Sequence, residues 1–245
     1  MKIYNKTINK YLIAILFTSV LATACEKRLD VFPTSSISDS KALLSEGDVL
    51  VTLIGTYDGA QAATVYGGDI MVLNELIGNG ENINFTGTFA GLSDAFKAQM
   101  TTNNGNATGT WGSSYSTINR ANNVLSALDK VTSSATKKSS VEGEALFLRG
   151  SLYFELVKLF AKPVGDGDYA ANPGVPLVLT PTGNVTEADY KARATVKAVY
   201  DQVIADLVKA ESLLPSTNGI YATKWSAAAQ LSRVYLALKN YTEAG

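Results

Sequence analysis

The chain has 245 residues, of which 46% are hydrophobic and 18% are charged, and this composition excludes an intrinsically disordered protein. Lys and Arg total 21 against 22 Asp and Glu, so the basic balance typical of nucleic-acid-binding proteins is absent. There is no histidine, which excludes Ser-His-Asp and Cys-His catalysis and every His-ligated metal site. A single cysteine permits neither an intramolecular disulfide nor a thiolate metal cluster, and we expect no cofactor.

The first 24 residues have the pattern of a secretory signal peptide. Lys2, Lys6 and Lys10 form a basic start, and residues 11–24 follow without a charged side chain. A helix over this apolar segment would span about 21 Å, which is short for a bilayer core of about 30 Å. We therefore predict a cleaved leader over residues 1–24 rather than a transmembrane helix.

Cys25, the only cysteine of the chain, directly follows the small residues that end this segment. Its position predicts a lipoprotein, although Leu21 lies one position earlier than the large aliphatic residue of a usual lipobox. The alternative is an ordinary signal peptide with an incidental cysteine. A thioether-linked diacylglycerol on the Cys25 sulfur and an acyl group on the new amino terminus would give stable anchoring in a bilayer. The polar residues 25–45 would then be a lipidated tether.

The periodicity of hydrophobic residues predicts five helices in the remainder of the chain. The first begins near Glu46, the second runs from Trp111 to Leu128, and the third covers Glu142–Phe160. The fourth extends from an N-cap at Thr195 to Pro215, and the fifth begins near Thr223. The third is apolar nearly all round, so it should be central and contact several neighbours. With no convincing alternating pattern for a sheet, the sequence predicts an all-α fold.

Long irregular segments separate these helices. Residues 101–114 are rich in Asn, Gly and Thr, which predicts a loop, and residues 68–87 are ambiguous between a short helix and a loop. Residues 163–194 hold four of the six prolines, which predicts a long loop with Val175–Leu179 as a candidate strand.

The last residues have the small and aromatic spacing of a tetratricopeptide repeat, carried by Ala228, Leu231, Ser232, Tyr235, Tyr241 and Ala244. Because the sequence stops at Gly245, the second helix of this hairpin is barely started. The predicted fold class is therefore an all-α, tetratricopeptide-like helical-hairpin scaffold with long irregular loops, incomplete at its C-terminus.

Several motifs in a fixed order carry a family resemblance. The most specific is the segment 142–160, EGEALFLRGSLYFELVKLF. The others are Cys25 with Leu29-Asp30, Gly55-Thr56-Tyr57, Trp111 with Tyr115, Ile118, Asn119 and Asn122, Gly174-Val175-Pro176-Leu177, Val199-Tyr200 with Ala205-Asp206-Leu207, Leu214-Pro215, and residues 227–236. In order and spacing they resemble the SusD/RagB family of nutrient-binding outer-membrane lipoproteins along nearly the whole chain.

The resemblance implies that residues 46–245 form a SusD-like N-terminal α-helical domain, since family members are usually much longer. It also implies a non-enzymatic lipoprotein of Bacteroidota that captures oligosaccharide for a SusC-like TonB-dependent transporter. The protein would be lipid-anchored in the outer membrane and surface-exposed, although Glu26-Lys27-Arg28 departs from the acidic run that surface export favours. The alternative is a membrane-anchored helical-repeat scaffold for protein interactions without a small ligand.

Two tryptophans are candidate sugar platforms, because aromatic faces cover the apolar C–H patches of sugars. Trp111 and Trp225 are each in phase with the apolar residues of their helices, which favours packing in the core. No ligand-binding residue is carried over from the resemblance.

Four acidic and two basic residues are weighed in the same way. Glu142 and Glu144 lie two apart on a helix, so they should face different directions and favour the helix N-terminus rather than flank a glycosidic bond. Asp166 and Asp168 faintly resemble a calcium-binding run, but a turn is favoured and we predict no metal site. Arg149 and Arg233 should reach backbone or carboxylate partners inside their apolar helices.

Overall fold

The computed structural model describes residues 43–78, 82–183 and 186–245. Within these ranges the chain forms eight α-helices and no β-strand: α1 Glu46–Ala60, α2 Asp69–Ile77, α3 Ala90–Phe96, α4 Gly105–Ser126, α5 Ala135–Phe160, α6 Val196–Leu213, α7 Lys224–Ala237 and α8 Tyr241–Ala244. The all-α prediction is confirmed. The predicted signal peptide, Cys25 and most of the tether lie outside the described residues.

Polar caps define where the longer helices begin. The side chains of Thr195 and Thr223 accept hydrogen bonds from the backbone amides of Ala198 and Ser226, so both predicted starts are confirmed. Ser45 caps α1 and forms a reciprocal capping box with Asp48.

Two predicted boundaries are wrong. Helix α4 begins at Gly105, inside the predicted loop 101–114, because the Asn104 side chain accepts from the Ala107 amide. Small residues in this segment favour loops when considered alone. Farther along α4, the close approach of α1 depends on a glycine of α1. A Cβ at Gly59 of α1 would lie only 2.5 Å from Thr117 Oγ1 of α4. Helix α5 likewise begins at Ala135, well before the predicted Glu142, with Ser134 as its cap.

Successive long helices pack against one another along the chain. Helix α1 packs on α4, α4 on α5, α5 on α6, α6 on α7, and α7 on α8. Helix α5 also contacts α1, α2 and α7, so the prediction of a central, all-round apolar helix is confirmed. Its fully buried side chains include Leu152, Tyr153 and Phe154, which lie in the largest apolar cluster of the described chain.

The long loop between α5 and α6 is held by side chains of α4 and α5, and its two ends also pair through backbone hydrogen bonds of Ala194 with Gly174 and Val175. The Tyr153 hydroxyl donates to the Val178 carbonyl at 2.9 Å and accepts from the Val178 amide at 2.7 Å. The Tyr115 hydroxyl donates to the Pro176 carbonyl at 2.7 Å. The candidate strand Val175–Leu179 is therefore not a strand, because side chains of α4 and α5 provide the hydrogen bonds that a neighbouring strand would otherwise supply.

A buried ion pair joins α5 to α6. Arg149 Nε and Nη2 donate to Asp206 Oδ2 and Oδ1, each at 2.8 Å, and the two side chains are 9% and 3% exposed. Arg149 Nη1 donates to Asn122 Oδ1 of α4 at 3.0 Å, and Asn122 Nδ2 donates to the Val178 carbonyl at 2.8 Å. The prediction that Arg149 reaches a carboxylate is confirmed, and one guanidinium connects three helices and the long loop.

A second buried carboxylate, Glu155 of α5, connects α2 and α7. It accepts from Lys158 at 2.8 Å, from Asn74 of α2 at 3.2 Å and from Arg233 of α7 at 3.2 Å. The expected polar partner of Arg233 is thereby confirmed.

We predict that Asp206→Asn lowers the free energy of unfolding by about 3–5 kcal/mol, because it leaves a buried guanidinium without its counter-charge. Urea unfolding followed by circular dichroism measures the change. Asp201→Asn is the matched control on the same helix, since Asp201 pairs with Lys197 at an exposed position and its loss should not shift the midpoint measurably. Equal unfolding midpoints for the two variants would contradict the prediction.

Candidate functional site

A cleft lies where α4 begins, where α5 ends, and beside the end of the long loop. Its volume is about 460 Å³, within the range of small-ligand sites. We call it the Trp111 cleft, and it is lined by Met100, Thr101, Thr102, Ala107, Thr108, Trp111, Leu159, Phe160 and Arg193.

Trp111 contributes both to the core and to this cleft. Its ring centroid lies 5.0 Å from that of Tyr115 and 5.0 Å from that of Phe160, which it meets edge to face. It packs half-buried against the main apolar cluster, so the packing interpretation is confirmed. These neighbours fix the orientation of the indole beside the cleft.

Arg193 lies over the Trp111 ring, with its guanidinium carbon 5.4 Å from the ring centroid. Arg193 Nη1 donates to the Phe160 carbonyl at 2.9 Å and to the Gly174 carbonyl at 2.6 Å. The side chain is thus held by two backbone groups and by a cation–π contact. It was absent from the sequence-based candidates because neither carbonyl has a signal in the sequence.

Threonine hydroxyls and a short turn form the other side of the cleft. Thr101 and Thr102 are exposed, and Thr101 Oγ1 accepts from the Asn103 amide at 3.4 Å. Asn104, the cap of α4, donates through Nδ2 to the Gly91 carbonyl at 2.9 Å and so ties this turn to α3. Thr108 Oγ1 lies 2.9 Å from the Asn104 carbonyl, within the first turn of the helix.

These groups suit binding rather than bond cleavage. The floor is aromatic and aliphatic, as the C–H faces of a sugar require, and the rim offers hydroxyls and a guanidinium to its hydroxyl groups. Of the described residues that line the cleft, none is a carboxylate, whereas a glycosidase uses a pair of such acids.

The family model described as starch-binding and associating with the outer membrane matches residues 28–236. The chain belongs to the SusD-like family. It is 25% identical over 237 residues to SusD-like protein P2 of Formosa agariphila, covering 96% of this chain and 44% of that protein. A second Formosa agariphila relative, SusD-like protein P38, is 26% identical over 235 residues, covering 94% of this chain and 42% of that protein.

A solved structure gives the same family. The crystal structure of a SusD superfamily protein from Bacteroides thetaiotaomicron superposes with a TM-score of 0.70 at 25% identity, covering 82% of this chain and 44% of that one. The tetratricopeptide-like helical fold class is thereby confirmed. The chain spans less than half the length of the relatives that it matches.

SusD-like proteins are carbohydrate-binding and associated with the outer membrane. In this SusD-like chain, none of the helices within the described ranges combines the length and apolar character that a membrane span requires.

Trp225, the second candidate platform, lies outside the Trp111 cleft. The packing prediction for it is wrong, since Trp225 is 61% exposed and Lys224 Nζ lies 4.4 Å from its ring centroid. Helix α7 buries Ala227, Leu231 and Val234 instead. Being in phase with the apolar residues of α7 does not ensure burial, because Trp225 lies in the first turn of the helix, at the edge of the apolar stripe.

The predicted acidic candidates have separate structural partners. Glu142 forms an ion pair with Lys209 of α6, and Glu144 accepts from Asn218 at 3.0 Å. As predicted, they do not flank a common site. The prediction that they favour the N-terminus of their helix is wrong, because α5 begins at Ala135.

Asp166 and Asp168 lie in a turn, as predicted. Asp168 Oδ1 accepts from the Ala170 amide at 2.9 Å, and the neighbouring Gly165 and Gly167 have positive φ angles of 102° and 73°. Across the described ranges, no group of three or more Cys, Asp or Glu side chains is arranged to hold a metal ion.

A second cavity of about 600 Å³ lies among α1, α5, α7 and the loop before α7. We call it the Tyr57 groove, and it is lined by Ile54, Tyr57, Asp58, Ala60, Gln61, Tyr66, Phe147, Leu148, Ser151, Ile220, Tyr221 and Gln230. Its rim is apolar, with Ile54 54% exposed and Ile220 92% exposed.

The polar atoms beneath the Tyr57 groove are closed off from solvent. Tyr66 OH, Ser151 Oγ and Gln230 Nε2 are buried, and none of them has a hydrogen-bond partner within the described ranges. A sugar in this groove would therefore meet mainly apolar side chains, with Asp58 and Gln61 as the exposed polar groups among the lining residues. The Trp111 cleft, whose threonine and arginine groups are exposed, is the better glycan site of the two.

Burial sets the protonation of the groups around the Tyr57 groove. It raises the pKa of Glu144 above its usual value, against the hydrogen bonds from Asn218 and Tyr57 that lower it. Burial also raises the pKa of the Tyr57 hydroxyl, and the neighbouring Glu144 adds to the increase. Tyr66 has its pKa raised by burial first and by Glu155 second. These phenols therefore remain protonated at neutral pH.

We predict that Glu144→Gln stabilises the protein more at pH 7.5 than at pH 4. Because burial raises the folded-state pKa of Glu144, its contribution to stability is fully present below the unfolded pKa and is lost as the pH rises through the folded value. Gln removes the cost of ionising a buried acid while keeping an oxygen acceptor. Urea midpoints at the two pH values measure the effect.

Glu142→Gln is the matched control, since Glu142 is ion-paired with Lys209 and should gain nothing at pH 7.5. If Glu144→Gln and the parent protein differ equally at both pH values, the buried acid is not a source of pH dependence.

Proposed function

We propose that the chain is part of a non-enzymatic glycan-binding lipoprotein that captures oligosaccharide at the outer membrane. The observation that carries this proposal is the Trp111 cleft, an apolar floor with exposed hydroxyls and a positioned guanidinium, in a chain of the SusD-like family. The starch-binding description of the family supports the substrate class.

In this proposal a sugar ring lies on the floor formed by Trp111, Phe160 and Leu159, and its hydroxyls bond to the threonines of the rim. The indole needs little reorganisation on binding, since Tyr115, Phe160 and Arg193 already surround it. A preorganised site loses less conformational entropy when the ligand binds.

The anchor is proposed from the sequence. Residues 1–24 would be removed, Cys25 would carry the acyl chains, and residues 25–45 would form a tether. If fully extended, such a tether would reach at most about 70 Å from the lipid surface. That distance would allow the helical domain to stand clear of the bilayer while remaining attached to it.

The proposed partner is a SusC-like TonB-dependent transporter, to which the captured glycan would be delivered. The family's association with the outer membrane supports a partner in that membrane. Capture and delivery need no bond cleavage, in agreement with a cleft that has no carboxylate among its lining residues.

The second candidate function, a protein-interaction scaffold without a small ligand, is favoured by the Tyr57 groove. Its exposed Ile54, Ile220 and Tyr221 form an apolar rim of the kind that protein interfaces use. This candidate predicts a stable protein partner and no saturable binding of oligosaccharide.

We predict saturable glycan binding that is reported by Trp111. The chain has two tryptophans, so Trp225→Phe leaves Trp111 as the only indole. Titration of this variant with a panel of neutral and acidic oligosaccharides should change its fluorescence, because the ligand replaces water beside the ring. A reducing-sugar assay on the same mixtures should detect no products.

The control is Trp111→Phe, which leaves only the indole of Trp225, outside the cleft. Its fluorescence should not respond to the same glycans. Product release would favour an enzyme, and a failure of every glycan to change the fluorescence of Trp111 would contradict the proposed site.

We also predict that Cys25→Ala abolishes labelling with palmitate and moves the protein from the membrane to the soluble fraction. Since the chain has one cysteine, the label has one thioether site. Detergent extracts of wild-type membranes should contain a large β-barrel protein bound to the chain. Ser35→Ala, in the proposed tether, should change neither property, whereas membrane retention of Cys25→Ala would disprove the anchor.

A further inference from the structure

Among the residues that the structure describes, one cationic side chain and no anionic one line the Trp111 cleft. Arg193 is the only charged residue among those that line it. The Tyr57 groove differs, since Asp58 lines it. The charge of the cleft therefore distinguishes acidic ligands from neutral ones.

Contacts with the described residues leave one edge of the Arg193 guanidinium without a partner. Nη1 makes both of the hydrogen bonds to backbone, to the carbonyls of Phe160 and Gly174. Nε and Nη2 have no hydrogen-bond partner within the described part of the chain, and no carboxylate there forms an ion pair with Arg193. The Nε–Nη2 edge is one that binds a carboxylate or sulfate through two parallel hydrogen bonds.

Two acids in segments that adjoin the lining residues are engaged with other groups. Asp69 accepts from Asn106 Nδ2 at 3.0 Å. Asn106 is the residue of α4 directly before those that line the cleft. Asp166, in the loop after α5, lies 3.6 Å from Lys162 Nζ. Neither of them lines the cleft.

The direction of α4 also favours an anion. Ala107 and Thr108 line the cleft from the first turn of this helix of 22 residues, whose N-terminal end carries a partial positive charge. The α5 terminus, of opposite polarity, reaches the same cleft at Phe160, but its last carbonyl already accepts from Arg193. The helix end adds to the effect of the guanidinium and does not define the site by itself.

We propose that the glycan bound in the Trp111 cleft is acidic, with a carboxylate or sulfate of the sugar held by the Nε–Nη2 edge of Arg193. This inference rests on the proposed function and adds the charge class of the ligand. The contact of the guanidinium with Trp111 and its bonds to two carbonyls hold it in place before the ligand arrives.

The test compares three probes on the Trp225→Phe protein: oligoguluronate as the carboxylate, a κ-carrageenan oligosaccharide as the sulfate ester, and maltohexaose as the neutral glycan. Fluorescence titration at several NaCl concentrations gives each dissociation constant. We expect at least one acidic probe to bind tenfold or more tightly than maltohexaose, with an affinity that falls as salt increases. The stronger of the two acidic probes identifies the anionic group.

Arg193→Gln should reduce the ratio of acidic to neutral affinity at least tenfold, because the amide carries no charge. Arg193→Lys should restore only part of the ratio, since an ammonium group cannot make the two parallel hydrogen bonds. Lys162→Gln, which removes one positive charge outside the cleft, should leave the ratio unchanged.

The possible failures are distinguishable. If the wild-type cleft binds maltohexaose as well as it binds both acidic probes, the inference is wrong and the proposed glycan-binding function stands. If none of the probes binds, both are wrong. Selectivity and its salt dependence are measured on the unsubstituted Arg193 protein, so the result does not require either variant to fold.

Discussion

The bidentate pair between Arg149 and Asp206 is the constraint on which the arrangement of the helices and the long loop depends. A buried guanidinium is tolerated only when its donors are satisfied, and here the acceptors come from α6 and, through Asn122, from α4. Asn122 in turn donates to the Val178 carbonyl. The same network therefore fixes α5 between two helices and positions the long loop. Arg193, near the end of that loop, lines the Trp111 cleft.

Two glycines of α5 let α6 pack closely, Gly150 beside this pair and Gly143 beside the end of α6. A Cβ at Gly150 would lie 3.1 Å from Asp206 Cβ and 3.2 Å from Leu207 Cγ, and one at Gly143 would lie 2.9 Å from Leu214 Cγ. Glycine costs a helix about 1 kcal/mol relative to alanine. That cost is offset at Gly150, because the missing side chain lets α6 come close enough for Asp206 to reach Arg149. The motif that carries the family resemblance thus includes both the charge and the space it needs.

Features that depend on local chemistry could be predicted from the sequence, and features that depend on distant partners could not. Thr195 and Thr223 were identified as helix starts because an N-cap is decided by its own side chain and the next three amides. The start of α4 is not predicted, although Asn104 caps it in the same way, because the glycines and asparagines that follow have low helix propensity. The cleft was missed as a unit because residues 100–111, 159–160 and Arg193 meet only in the folded chain.

The two cavities differ in whether their polar groups can reach a ligand, and this difference decides what each can bind. A hydroxyl-rich sugar leaves water only where the site replaces its hydrogen bonds, and each unreplaced bond costs about 1–3 kcal/mol. The Trp111 cleft offers exposed groups on Thr101, Thr102 and Arg193, whereas Tyr66 OH and Ser151 Oγ are shut beneath the Tyr57 groove. Apolar side chains of another protein surface would cover the apolar part of that groove without losing hydrogen bonds, and the exposed Asp58 and Gln61 that also line it would need polar partners. One small helical domain thus presents a polar cleft suited to a glycan and an apolar groove suited to a protein.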